Sequence, residues 1–313
     1  MTIRSKPDVR EHQSFFGMPE DVKFCKKCTY SNQKPNSTVE FRAKRGDLKT
    51  GIVFSSGICS ACQYNEQKNS SIDWDQRRQK LQDLCDKYRS RNGSYDCLVP
   101  GSGGKDSFYA AIMLKEKFDM NPLTVTWAPN IYTDWGFYNF KAWIDSGLPN
   151  FLFHPNGLLH RYLSRLSLEN NLHPFQPFIL GQYGFPLKCV EYFNIPLVFY
   201  GENSAEYGNA IENNESPNKI SEDMCLEDGE TGYICGEEAE AFSEIGFSHA
   251  DISMYLPPTR EKFELTRFEW HYLGYYLKWH PQENYYFSLK HGFEPAPERN
   301  EGSYSRYASI DDK

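Results

Sequence analysis

The chain has 313 residues, enough for one large domain with a small one beside it or for two of middle size. With 39% hydrophobic and 16% aromatic residues it has the composition of a folded globular protein, so disorder is confined to ends and loops. The net charge of −8 is uneven: residues 1–70 carry 12 Lys and Arg against 7 Asp and Glu, and the remainder 22 against 35, so the larger part lacks the basic footprint a polyanion needs and nucleic acid is disfavoured as a partner.

No run of about 18 apolar residues occurs. The opening stretch (Thr2, Arg4, Lys6, Asp8, Arg10, Glu11) lacks the apolar centre of a signal peptide, so a cytoplasmic protein with no membrane partner is expected. In that compartment nine cysteines do not read as disulfide staples. Residues 1–20 show no periodic pattern, and two Cys-x-x-Cys pairs follow, Cys25-Lys26-Lys27-Cys28 and Cys59-Ser60-Ala61-Cys62. Two close pairs of thiolates are the set that closes a tetrahedral Zn²⁺ site from two turns, a structural site with no open position; Lys26 and Lys27 favour the thiolates. A redox dithiol, an iron–sulfur cluster and unliganded thiols are the other readings of this spacing. The segment is too poor in large apolar residues to fold on a core of its own, so residues 1–70 read as an N-terminal zinc-knuckle module and residues 71–313 as the main domain. Cys85, Cys97, Cys189, Cys225 and Cys235 have no such pairing and read as buried packing residues or neutral loop residues.

From Ser71 the pattern becomes periodic. A helix over about 73–91 is capped by Ser71 or Asp73 and stopped by Gly93. The apolar run Tyr95 to Pro100 reads as a strand, Gly101 to Ser107 as a glycine loop, and Ser107 to Lys115 as a helix. Strands at Leu123–Trp127 and Asn150–Phe153 then alternate with helices at Phe137–Ser146 and Leu158–Glu169, and Ile195 to Tyr200 is a further strand ending at Gly201. Such alternation implies right-handed crossovers, a mostly parallel sheet and ligands at the carboxyl ends of its strands, with Gly201, Glu202 and Asn203 on the same rim as the glycine loop. Residues 205–250 are acidic and irregular and read as a mobile excursion; Arg267 to Lys278 is aromatic with helical period.

A loop of small residues between a strand and a helix lets backbone N–H groups converge on phosphate oxygens, helped by the helix N-terminus. Gly101, Gly103 and Gly104 supply the permissive backbone, and Ser102 and Ser107 supply hydroxyls. Neither the Walker A spacing nor the dinucleotide fingerprint fits here, which removes support for hydride chemistry. The string Ser102-Gly103-Gly104-Lys105-Asp106-Ser107 after a strand resembles the PP-loop of ATP pyrophosphatases, which cleave ATP to AMP and pyrophosphate. The resemblance implies that Lys105 neutralises charge on the leaving pyrophosphate, that Asp106 helps place Mg²⁺, and that Thr126, Trp127 and the backbone at Gly201 face the adenosine. An exposed ion pair for Lys105 and Asp106 and core packing for Trp127 are the plainer alternatives.

The order of features narrows the resemblance. Phe24-Cys25-x-x-Cys28-x-Tyr30-Ser31-Asn32-Gln33-x-Pro35 and Gly57-Ile58-Cys59-x-x-Cys62 precede the loop. Thr126 to Pro129, Tyr132-Thr133-Asp134, Pro155-Asn156-Gly157 with His160-Arg161, Gln176-Pro177-Phe178-Ile179-x-Gly181-Gln182, Tyr200 to Asn203 and Glu206-Tyr207-Gly208 follow it. Over roughly residues 20–310 the chain resembles the N-acetyl sugar amidotransferases of surface-polysaccharide (O-antigen, capsule) and flagellin-sugar pathways. That implies an α/β fold, with a PP-loop domain of the adenine nucleotide alpha hydrolase-like, Rossmann-like kind and a zinc-ribbon-like N-terminal module. It implies ATP, Mg²⁺ and structural Zn²⁺, and adenylation of an acetamido oxygen followed by displacement of AMP by ammonia. It also implies an N-acetylated sugar, free or nucleotide-linked, and ammonia from a separate glutaminase with a cyclase-like conducting subunit. Tyr132, Thr133, Asn156, His160, Arg161, Gln182, Glu202 and Asn203 are the candidates for sugar or nucleotide contacts, each with loop capping or core packing as the bland alternative. Family members continue past the final Ser309 to Lys313, which implies a truncated C-terminus. A tRNA-modifying PP-loop enzyme and a catalytically inactive nucleotide-binding scaffold for the glutaminase are the competing readings.

Overall fold

The computed structural model describes residues 17–37, 40–209, 225–301 and 303–308. Near the N-terminus a hairpin of β1 (Phe54–Ser55) and β2 (Ile58–Cys59) leads straight into α1 (Ser60–Ser70), for which Cys59 is the N-cap residue. Next come α2 (Trp74–Tyr88), whose cap Asp73 accepts from the Gln76 N–H at 2.9 Å, β3 (Cys97–Pro100) and α3 (Lys105–Lys117). They are followed by β4 (Pro122–Trp127), α4 (Asp134–Asp145), β5 (Asn150–Phe153), α5 (Gly157–Asn171), α6 (Gln176–Phe193) and β6 (Leu197–Tyr200).

Residues 225–250 hold a small hairpin of β7 (Tyr233–Ile234) and β8 (Glu237–Glu238), then the short helices α7 (Ala241–Glu244) and α8 (His249–Ser253). The chain continues through α9 (Arg260–Thr266), β9 (Glu269–Tyr272), the single turn α10 (Leu273–Tyr276) and α11 (Pro281–Leu289). Among the described residues no helix is long and apolar enough to cross a membrane.

Five strands form one sheet in the order β5-β4-β3-β6-β9, every neighbouring pair parallel. This is the expected α/β class with a parallel sheet, and helices cover both faces. Alternate side chains of each strand divide between two cores. Cys97, Val99, Leu197 and Phe199 join Leu81, Phe108, Trp143 and Trp279 on one face. Leu98 and Val198 join Leu163, Leu180 and Phe185 on the other, together with Val125 and Trp127 from β4. All six residues of β4 are buried, as a strand covered on both faces requires.

Two expectations are corrected. The aromatic stretch Arg267 to Lys278 is not one helix: Glu269 to Tyr272 pair with Leu197 to Tyr200 as the fifth strand, and only Leu273–Tyr276 turn helically. Pairing to an open sheet edge outweighs a helical period that bulky aromatics imitate. The 18-residue helix α6 has Pro177 in its first turn and Pro186 in its interior, the residue that ordinarily breaks a helix. Residues 225–250 are folded, with Cys225, Ile234, Cys235 and Phe242 buried, so the reading of a mobile excursion fails there. Glu212 to Ser216, Glu222 and Asp223 lie outside the described residues, as do Ser309 to Lys313. The five unpaired cysteines are all buried.

The far edge of the sheet is tied by a polar network. Glu269 on β9 accepts from Lys87 Nζ at 2.7 Å and the Tyr88 hydroxyl at 2.6 Å and meets His271 Nε2 at 2.9 Å. Burial alone would raise its carboxyl, but these hydrogen bonds outweigh it and hold the group at about 2, below its ordinary 4.5. The unfolded chain therefore binds this proton first, and the tie stabilises fully above about pH 4.5 and is lost as the pH falls toward about 2. Glu269→Gln is expected to lower stability at neutral pH and to flatten the acid limb of urea-unfolding free energy against pH.

Candidate functional site

In a parallel sheet whose order reverses at its centre, the crevice opens where two neighbouring strands send their chains to opposite faces. Here those strands are β3 and β6, and beyond their carboxyl ends lies a cavity of about 410 Å³. The β3 side contributes Gly101, Ser102, Gly104, Asp106 and Ser107; the β6 side contributes Gly201, Glu202, Ser204 and Tyr207. Trp127, Gln182, Tyr183, Tyr200 and Tyr272 form an aromatic and amide wall.

The loop is shaped by the absence of side chains. Gly103 has φ +91°, and a Cβ there would stand 2.5 Å from Phe140 Cα; a Cβ on Gly101 would stand 2.3 Å from Ser107 Cβ. The turn is held internally: Thr126 Oγ1 donates to the Gly101 carbonyl at 2.7 Å, Gly103 N–H to Ser107 Oγ at 3.2 Å and Ser107 Oγ to the Gly104 carbonyl at 2.8 Å. Helix α3 starts at Gly104 with no side-chain cap, so its positive end faces the rim without an internal acceptor of that kind.

Lys105 is 9% exposed and is not among the cavity-lining residues; its ammonium pairs with Asp106 and lies 5.7 Å from the centre of the Tyr307 ring. Asn284 Nδ2 donates to the other Asp106 oxygen at 3.3 Å, and Ser288 Oγ to the Lys105 carbonyl at 2.8 Å, so α11 fixes the start of α3. Glu202 accepts from the Tyr207 hydroxyl. Burial and, next, the charge of Asp106 push its carboxyl up, against the opposing pull of Tyr207 and Lys105.

The structure gathers Gly101, Ser102, Gly104, Asp106, Ser107, Trp127, Gly201, Gln182 and Glu202 at one cavity. The other sequence candidates stand elsewhere. Thr126 is buried beneath the loop. Thr133 and Asn156 cap α4 and α5, and Asn203 caps the turn Ser204–Tyr207. Tyr132 packs on Phe137 and Phe140. His160 is buried between the Tyr255 hydroxyl, 2.9 Å away, and Asn130 Oδ1, 2.6 Å away, while the Arg161 guanidinium bonds the Gly157 carbonyl at 3.2 Å. Trp127 has the core packing weighed for it, against Phe153, Phe185 and Tyr255 and above a Gly181 where any Cβ would strike its ring, and it also lines the cavity. Sequence reasoning omitted Tyr183, Tyr272, Asn284 and Ser288. Reading Glu269 to Tyr272 as a strand would have placed Tyr272 on the rim.

The four paired cysteines converge. Their Sγ atoms lie within 4.8 Å of one another, with Cys25–Cys62 at 3.9 Å and Cys28–Cys59 at 3.6 Å. A tetrahedral ion with bonds of about 2.3 Å holds its sulfurs about 3.8 Å apart, so the set fits one four-coordinate ion. Backbone N–H groups of Lys27 and Cys59 donate to Cys25 Sγ at 3.4 and 3.3 Å, and that of Tyr30 to Cys28 Sγ at 3.5 Å, the donors that stabilise thiolates.

No family model matches the chain. An uncharacterized protein of Methanocaldococcus jannaschii is 36% identical over 52 residues, and the chain spans only 19% of the length of that curated relative. Solved structures with partial overlap include an NH3-dependent NAD synthetase from Campylobacter jejuni (16% identity, 41% of this chain and 56% of that one, TM-score 0.31). Another is the U34-tRNA thiolase NcsA from Methanococcus maripaludis with its 4Fe-4S cluster (16% identity, 56% of this chain and 53% of that one, TM-score 0.25). Overlap of this degree carries no weight for function, which rests on the cavity itself.

Gly103→Ala forces both a left-handed backbone and a clash with Phe140 and is expected to cost about 2 kcal/mol or more, read as a lower calorimetric melting temperature. Cys59→Ser removes one of four converging sulfurs and is expected to lower bound metal, measured by plasma mass spectrometry, from one ion per chain to a small fraction of that.

Proposed function

We propose that the chain is an ATP-dependent amidotransferase acting on an N-acetyl sugar. ATP adenylates the acetamido oxygen and pyrophosphate leaves; ammonia adds to the activated carbon and loses a proton; AMP departs, and an acetamidino sugar remains. The observation that carries the reading is one cavity lined together by the uncapped start of α3, the carboxylates of Asp106 and Glu202 and the rings of Trp127, Tyr183, Tyr200 and Tyr272. The polar end suits a polyphosphate with Mg²⁺, and the aromatic wall suits the flat faces of an adenine and a sugar ring.

The residue types favour amide activation over RNA modification. Among the described residues lining the cavity there is no Lys, Arg or His, and two are acidic, a poor cradle for a nucleic acid backbone and a suitable one for a neutral acceptor. No covalent nucleophile is required, since the amide oxygen itself attacks the α-phosphorus once it is positioned. Asp106 and Glu202 would hold an Mg²⁺, and Lys105, beside Asp106, would stabilise charge on the pyrophosphate. The ion neutralises charge on the leaving group. Separate glutaminase and cyclase-like subunits supply the ammonia, in the synthesis of a surface or flagellar glycan. The cysteines would hold Zn²⁺; sulfur atoms all within 4.8 Å of one another support a single tetrahedral ion over a multi-iron cluster, which spreads its thiolates further apart.

The test is to supply ATP, Mg²⁺, ammonium and a panel of N-acetyl sugars, free and nucleotide-linked, and to follow AMP and pyrophosphate. Equal release of both, dependent on a sugar and on ammonium, is expected, with AMP formation about 100-fold lower in Lys105→Ala at unchanged circular dichroism. Release that ignores every sugar, or a modified tRNA as product, would sink the assignment.

A further inference from the structure

We infer that the four-cysteine centre is mechanically linked to the rim of the cavity, and that Lys68 is the positioning residue through which metal and nucleotide sense one another. The inference rests on the nucleotide reading of the cavity and goes beyond a metal centre that only folds its own module.

The link is continuous. Two of the four cysteines bracket the start of α1: Cys59 is its N-cap residue and Cys62 lies in its first turn, so a metal ion at the centre fixes that end of the helix. From the same turn Ser60 Oγ donates to the carbonyl of Gly208, directly after the rim turn Ser204–Tyr207, and Gly208 leaves room for it, since a Cβ there would stand 3.3 Å from Ser60 Oγ.

Two turns on, α1 delivers Lys68. This lysine is 6% exposed, and its ammonium donates to both oxygens of Glu206 at 2.8 and 2.7 Å and to the Trp279 carbonyl at 3.0 Å. Three charge-assisted bonds on one buried cation fix a position in the way a solvated pair cannot. Glu206 stands within the rim turn, and its neighbour Tyr207 donates to Glu202 at the cavity. The Trp279 ring backs the rim from below, where a Cβ on Gly201 would come within 2.9 Å of it. A third strand of the link joins Ser37 and Asn209: Ser37 N–H donates to Asn209 Oδ1 at 3.1 Å, Asn209 Nδ2 donates to Ser37 Oγ at 2.9 Å, and both residues line the cavity.

A shift of α1 on loss of metal therefore moves Glu206 and Gly208 together, and with them Tyr207 and Glu202. Linkage makes the effect reciprocal: a nucleotide that holds the rim must slow the loosening of α1 that releases metal. The experiment follows metal transfer from the metal-loaded full chain to a chromogenic chelator, with and without saturating ATP and Mg²⁺, while equilibrium dialysis measures nucleotide binding separately. Nucleotide is expected to slow release about fivefold or more. In Lys68→Met/Glu206→Gln, which removes both charges and strands neither, the same nucleotide should slow release less than about twofold; this variant sees the same free ATP and so cancels chelation by ATP itself. Ser60→Ala, which leaves the buried ion pair whole, should give an intermediate slowing and serves if the double variant does not fold. Nucleotide that binds and leaves metal release unchanged overturns the inference alone, as does an undiminished effect in both variants. Failure of nucleotide to bind at all overturns both the inference and the reading of the cavity.

Discussion

The cavity depends on a steric constraint: at Gly101 and Gly103, between β3 and α3, there is no room for a side chain. Gly101 lies against Ser107 and Trp143, and Gly103 against the backbone of Phe140. Only because the turn is bare can α3 dock on the sheet with its first amides at the rim, and only then does β3, at the centre of the sheet, open its crevice toward β6. Thr126 adds the pin that fixes the height of the loop, its hydroxyl bonding the Gly101 carbonyl from the neighbouring strand. Aromatic bulk on one side and bare backbone on the other are thus one device: Trp143 and Phe140 fill the space that the glycines leave.

The same logic recurs across the crevice. Gly201 gives way to Trp279 and Gly181 to Trp127, so each side of the cavity rests on an indole. What the second side lacks is a helix start to brace it, since the chain leaves β6 into a single turn, Ser204–Tyr207. Lys68 meets that need from a distant part of the sequence. Its removal alone would leave the Glu206 carboxylate buried without its cation, a costly state. The N-terminal segment contributes Ser37 to the cavity lining and braces the rim turn through α1.

Much of this was legible where local signals and tertiary demands agree. Leu123 to Trp127 holds three consecutive β-branched residues and lies in a fully buried strand; Asn150 to Phe153 has the expected bounds; the glycine loop stands where strand, loop and helix patterns meet. The paired cysteines converge because spacing alone puts each pair on one turn. The reading weakened where one residue type serves two ends. Thr133, Asn156 and Asn203 carry the oxygens that bind ligands, but they also precede helical turns, and the cap is what they supply. Pro186 hid the long helix α6, and the aromatics of Glu269 to Tyr272 hid a strand. Lys68 and Glu206, 138 residues apart, carry no local signal of their pairing, because a long-range ion pair leaves no periodicity.

Charge then sets what the cavity can accept. Two carboxylates line it, the nearby cation Lys105 is held by one of them, and Glu202 is already pushed toward its neutral form by burial and by Asp106. A polyphosphate entering such a site must bring its own cation, because the protein supplies backbone dipoles and not a basic patch. On the proposed reading, a cation held by Asp106 and Glu202 would relieve the repulsion between them and leave Lys105 to stabilise charge on a departing pyrophosphate. Lys105 and Asp106 neutralise one another in the structure, so on the proposed reading nucleotide with its ion would precede the uncharged acceptor, and ammonia would come last.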